Sequence, residues 1–158
     1  MKTLTLLRHA KAERESPGGG DFDRALSARG RENSIRMGQE MRRLGLHFDR
    51  VLASPARRVV ETVEGVGELL PQYDERIYDA STGQLFDVIG SVDDGVGKLL
   101  IIGHNPGLER LAAKLTAGEI QEFPTAALAE IELPIEHWRD IKEASGRLVH
   151  LLTPKTLD

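Results

Sequence analysis

The sequence predicts an α/β fold: a mostly parallel central sheet covered by helices on both faces, a three-layer α/β/α sandwich. Three observations carry that expectation. Two continuous apolar runs, Thr3-Leu4-Thr5-Leu6-Leu7 and Leu99-Leu100-Ile101-Ile102, read as strands buried on both faces. Segments with apolar residues at helical spacing alternate with such runs along the chain. Each run is followed two residues later by a histidine, His9 and His104, at the strand end where open α/β sheets collect their chemistry.

The elements follow in order. Residues 3–7 form the first strand, and the polar, glycine-rich stretch 10–26 is a loop. Ser27 caps a helix whose Ile35, Met37, Met41 and Leu44 recur at helical spacing until Gly45 stops it. Residues 49–53 form a short strand. Ser54-Pro55 then reads as an N-cap with proline at the first helical position, opening a helix that runs to about Leu70 before Pro71. Residues 73–79 are expected as an edge strand and 82–92 as a helix. The strand at 99–103 feeds a helix entered by Asn105-Pro106, a second cap-plus-proline start. Ala127–Leu133 and Leu148–Leu152 are the last strands, suited to antiparallel addition, with a helical turn around Trp138 between them. Gly65-Val66-Gly67 and Gly95-Val96-Gly97 do not continue into a dinucleotide-binding pattern.

At 158 residues the chain has the size of one domain, taken as 1–158. A net charge of −4 argues against nucleic-acid binding by bulk electrostatics, so an anionic ligand must be held by a local cluster of cations. The absence of cysteine excludes disulfides, thiolate metal sites and thiol nucleophiles. Lys2 is followed by too short an apolar stretch for a signal peptide, and no run is long enough to span a membrane. The expected setting is cytoplasmic and the expected state monomeric.

The strand ends present Arg8 and His9, then Ser54-Pro55-Ala56-Arg57-Arg58, then His104-Asn105. If these strands are neighbours, arginines, two histidines and two helix N-termini converge. Helix N-termini attract anions and guanidinium forks match phosphate oxygens, so the ligand predicted is a phosphoryl group. One histidine is placed to attack phosphorus while the other donates to its oxygens. The Asp21/Asp23 pair lies in a loop and reads poorly as a metal or aspartyl-phosphate site. His47, His137 and His150 lack neighbours of this kind, and Trp138 reads as a core anchor.

Three motifs in register sharpen this reading. Leu7-Arg8-His9-Ala10 resembles the Arg-His-Gly signature of the histidine phosphatase superfamily, whose fold is phosphoglycerate mutase-like. Ser54-Pro55-Ala56-Arg57-Arg58-Val59-Val60-Glu61-Thr62 resembles its S-P-x-x-R-x-x-[QE]-T segment, and Gly103-His104-Asn105-Pro106 its second-histidine motif. Small size, the segment from Asp23 through Ser27 to Gly30, and Phe123-Pro124-Thr125 point to the SixA branch of phosphohistidine phosphatases. The resemblance implies His9 as a nucleophile that becomes phosphorylated, Arg8 and Arg58 as phosphoryl clamps, and His104 completing the pocket. It implies Arg58 over Arg57 because Arg58 holds the motif's arginine position, and no cofactor or metal. Arg24 is a further phosphate-binding candidate, on a loop able to close over substrate.

Two departures stand out. Ala10 replaces the signature glycine, which is acceptable where φ is negative. A general acid lacks a clear equivalent, with Asp79 the nearest candidate; an imidazole leaving group needs little acid assistance. The partner implied is a phosphorylated protein carrying phosphohistidine, with no nucleic acid and no membrane. The competing readings are a phosphatase of small phosphoesters and a non-catalytic phosphoprotein-binding module.

Overall fold

The computed structural model describes residues 1–157, apart from the Glu143 side chain; Asp158, the end of the predicted domain span, lies outside the described residues. Six strands form one sheet: β1 (Lys2–Arg8), β2 (Arg50–Ala53), β3 (Gln72–Tyr73), β4 (Lys98–Gly103), β5 (Leu128–Leu133) and β6 (Arg147–Leu152). Their spatial order is β3-β2-β4-β1-β5-β6. β1 to β4 run parallel, while β5 and β6 extend the sheet antiparallel. The mostly parallel three-layer sandwich read from the sequence is the fold observed.

Alternation along the central strands sorts the two cores. Leu4, Leu6, Leu99 and Ile101 face α3 (Thr82–Gly90) and α4 (Gly107–Leu115), with Leu85, Ile89, Leu108 and Leu111 in the same cluster. Leu7, Leu100 and Ile102 face the other way, onto α1 (Ala28–Arg43) and α2 (Arg57–Val66), joining Met37, Met41, Val59 and Val63. The middles of these strands, buried on both sides, are therefore largely apolar; Thr5 is buried in β1 with its hydroxyl unpartnered among the described residues. The two outer helices α1 and α2 approach so closely that a Cβ on Gly38 would lie 2.1 Å from Val66 O.

Several boundaries differ from expectation. α2 begins at Arg57 with Ala56 as its cap, because Ser54 is still held by the sheet: its N–H donates to Ile102 O at 3.1 Å. The same helix stops at Val66, not near Leu70, where Gly67 takes a φ of +78°. The expected strand over 73–79 reduces to the Gln72–Tyr73 pairing, since Asp74 caps a 3-10 turn at Glu75–Ile77 by accepting from Arg76 N. α4 begins at Gly107, and Pro106 occupies the cap; Asn105 still serves the first turn, its Oδ1 accepting from Glu109 N. Ser81 and Gln84 form a reciprocal capping box at the start of α3. The loop after β1 is partly organised, with a bridge between Ala12 and Leu26 and a 3-10 turn at Asp21–Asp23.

Candidate active site

Parallel pairing aligns Arg8 of β1 with Gly103 of β4, so the chain leaves both strands at the same level and delivers His9 and His104 side by side. Their ring centroids are 5.2 Å apart. Both imidazoles are buried. β2 flanks β4 on the other side, and its end brings Ser54 and then the first turn of α2 to the same place.

Hydrogen bonds fix the tautomers. His9 Nδ1 lies 2.7 Å from Ala10 O; a carbonyl only accepts, so Nδ1 carries the proton and Nε2 keeps its lone pair. His104 is held oppositely. Its Nδ1 accepts from Arg58 Nη2 at 3.3 Å, and its Nε2–H donates to Ser54 Oγ at 2.8 Å. Burial, reinforced by the Arg58 and Arg8 charges, pushes His9 down to about 4. Burial first, then His9 and Arg58, pushes His104 down to about 3. Both rings are neutral at pH 7, so His9 offers a free base in a cationic surround.

Arg58 is buried, its Nη1 donating to Asp21 O at 2.8 Å and its Nη2 to Asp21 Oδ2 at 3.1 Å. Arg57 points away and pairs with Glu61 at 3.1 Å. Arg8 Nη1 donates to Phe123 O at 3.2 Å. Arg8 and Arg58 each retain a buried Nε–H without a partner among the described residues. Two further side chains of α2 brace the site: Glu61 accepts from Leu26 N at 2.7 Å, and Thr62 accepts from Ala10 N at 3.0 Å while donating to Arg58 O at 2.7 Å.

All six residues singled out from the sequence, Arg8, His9, Arg24, Arg58, Asp79 and His104, line one open pocket of about 650 Å³. Arg24 reaches it across the loop, bonded to Glu13 O and to Asp21 Oδ1. Asp79 sits exposed at the rim with a φ of 54°. Ala10 is absent from the positive-φ residues, so the methyl is accommodated without strain. Sequence reasoning missed Asp21 and Tyr78 as parts of this pocket. Tyr78 donates to Asp21 Oδ2 at 2.6 Å, and this bond, with the Arg58 charge, pulls the Asp21 carboxyl down to about 2. Tyr78 also stands edge-on to His104, with centroids 5.5 Å apart, and to Phe22 at 5.1 Å. No local signal links residues 21 and 78. Among the described residues, no group of three or more His, Cys, Asp or Glu side chains is arranged to hold a metal ion.

The family model described as histidine phosphatase superfamily (branch 1) matches residues 4–87. The chain belongs to the histidine phosphatase superfamily. An uncharacterised protein of Mycobacterium tuberculosis is 33% identical over 160 residues, covering 94% of this chain and all of that protein. Phosphohistidine phosphatase SixA of Escherichia coli is 28% identical over 136 residues, 81% of this chain and 83% of its own. Among solved structures, the protein histidine phosphatase SixA complexed with tungstate superposes with a TM-score of 0.83 at 24% identity, covering 99% of both chains. A SixA-type structure from Nakamurella multipartitia gives 0.87 at 22% identity, over 97% of this chain and 96% of that one. These superpositions establish the SixA-like superfamily fold. No helix among the described residues is long and apolar enough to cross a membrane.

Proposed function

We propose that this chain is a phosphohistidine phosphatase, working without a metal ion, that removes a phosphoryl group from a protein histidine by way of phosphorylated His9. The observation that carries this reading is the fixed tautomer of His9: a buried, neutral imidazole whose Nε2 lone pair is unspent, beside two arginines and a second histidine. Membership of the superfamily and similarity to SixA support the same chemistry.

His9 Nε2 attacks phosphorus, and the P–N bond to the substrate imidazole breaks in line. The leaving ring takes the electron pair and a proton; Asp79, at the rim, is the candidate donor. Arg8 and Arg58 hold the equatorial oxygens, with their unpartnered Nε–H groups adding donors to a site suited to charge build-up. His104 spends Nδ1 on Arg58. An arriving dianion favours uptake of a proton from solvent at Nδ1, which turns that nitrogen into a donor and frees Arg58 for the phosphoryl group. Water then attacks phosphorus, the P–N bond to His9 breaks, its lone pair returns, and inorganic phosphate leaves. Tyr78, which lines the pocket with Phe22 packed edge-on against it, offers an aromatic ring to a flat imidazole leaving group.

A phosphatase of small phosphoesters is the second reading, favoured by a pocket volume within the range of small-molecule sites. The test is phosphate release from a phosphohistidine-bearing protein and from an aryl phosphate, with chelator present, by wild type and His9→Ala. Chelator-resistant release from phosphohistidine that vanishes in the variant is the expected result. Turnover of the ester alone moves the substrate to small molecules. Retained binding with no turnover of either by wild type favours a phosphoprotein-binding module. A near-wild-type rate in His9→Ala overturns the nucleophile.

A further inference from the structure

Beside the catalytic pocket lies a second depression of about 520 Å³, and Lys11 and Thr125 line both. Its cations come from three separate segments. Lys11 lies on the strand-exit loop, Arg29 and Arg36 lie on α1, and Lys155 lies on the C-terminal 3-10 turn. One carboxylate, Glu122, shares the lining. Such a concentration of positive charge runs against the chain's net charge of −4, so the field here is local.

The groove is also built on fixed backbone. Lys11 O accepts from both Ser27 N and Ser27 Oγ, and a Cβ on Gly30 would lie 2.0 Å from that oxygen, so α1 is clamped against the loop. Arg29, Asn33 and Arg36 follow at i, i+4 and i+7 and share one face of α1. The Lys155 turn is closed by bonds between Thr153 and Thr156. Among the described residues, the side chains of Lys11, Arg29 and Lys155 enter no ion pair with a carboxylate of this chain, and their exposed heads remain available.

We propose that this groove receives an acidic segment of the substrate protein, next to its phosphohistidine. The proposal rests on the phosphohistidine reading above and names the kind of partner that site selects. A polypeptide whose phosphorylated ring occupies the His9 pocket passes over Lys11 and Thr125 into the groove. Carboxylates on that segment meet a preorganised set of cations, raising encounter rate and selecting against basic neighbours.

The experiment compares two peptides carrying phosphohistidine, prepared with phosphoramidate, that are identical except for flanks of glutamate or of glutamine. Wild type is expected to favour the glutamate peptide in kcat/KM, with the advantage falling as salt rises. The double variant Arg29→Glu, Lys155→Glu is expected to lose roughly five-fold on the glutamate peptide while the glutamine peptide is hydrolysed as before. Arg29 stands in the first turn of α1, where a carboxylate suits the helix dipole, so folding is preserved. Equal rates for the two peptides with wild type, or equal losses in the variant, overturn the groove while leaving the phosphohistidine reading intact. Failure of wild type to hydrolyse either peptide, alongside turnover of an aryl phosphate, overturns both.

Discussion

Thr62→Val is the most discriminating substitution in this site because it keeps the side-chain shape and deletes the hydroxyl. Thr62 is buried, and its Oγ1 accepts from Ala10 N at 3.0 Å and donates to Arg58 O at 2.7 Å. Arg58 O lies within α2 and keeps its helical partner, whereas Ala10 N–H is left buried without an acceptor. One orphaned buried donor costs about 2 kcal/mol. For a chain of this length that corresponds to a fall in Tm of roughly 4–8 °C. Ala10 follows His9 directly, so the same change loosens His9, the proposed nucleophile, relative to Arg58, and kcat is expected to fall about ten-fold or more with a smaller change in KM. Calorimetry and steady-state phosphate release on Thr62→Val and Thr62→Ser measure both effects. Serine retains the hydroxyl and should recover most of kcat. A loss in Thr62→Ser as large as in Thr62→Val would show that an intact hydroxyl does not suffice, and an unchanged Tm and kcat in Thr62→Val would refute the reasoning.

Arg58→Ala should lower kcat/KM about 100-fold by removing a donor to the developing phosphoryl charge, whereas Arg57→Ala, an exposed partner of Glu61, should cost under about three-fold in the same assay. His9 is neutral in the fold down to about pH 4, whereas the unfolded ring takes a proton near 6.5; the unfolded state therefore binds more protons in that window and stability falls as pH falls. At pH 5 this costs wild type about 2 kcal/mol that His9→Ala escapes, so denaturant curves at pH 7 and 5 should show the variant gaining on wild type in acid. Asp21→Asn keeps an acceptor for Tyr78 but removes the carboxylate that competes for Arg58, so inorganic phosphate should inhibit roughly three-fold more tightly; weaker inhibition would mean that Asp21 positions Arg58 instead.

The strands at the heart of the sheet were legible because continuous apolar runs have one meaning in an α/β chain, and β1 and β4 are such runs. Their adjacency was not, since the pairing of Arg8 with Gly103 is a tertiary fact about residues 95 positions apart. At the start of α2 a long-range bond had overruled a local preference. Ser54-Pro55 has the pattern of a cap and first helical residue, yet Ser54 gives its N–H to Ile102 and its Oγ to His104, so the chain stays extended until Ala56. Asp21 stood out in the sequence only as half of a loop carboxylate pair, and Tyr78 carried no signal. Each is ordinary in its own segment, and only the folding of the loop back over α2 brings them together.

The Ser54-to-Thr62 motif has a physical explanation in this structure that its spacing only hints at. Ser54 ends the strand and receives His104 Nε2–H; Arg58 enters the pocket from the first turn of α2. Glu61 and Thr62 follow Arg58 by three and four positions, which returns them to the same side of the helix. From there Glu61 takes Leu26 N and Thr62 takes Ala10 N, so one helix face holds the loop and the backbone beside His9. Arg57 lies about 100° around the helix from Arg58 and faces solvent. The segment therefore acts as a jig: Ser54, Glu61 and Thr62 hold the second histidine, the covering loop and the chain that follows the first histidine, while Arg58 enters the pocket between them. A site assembled this way depends on the orientation of α2 as a unit, which is why a hydroxyl that does not itself line the pocket is expected to govern the rate.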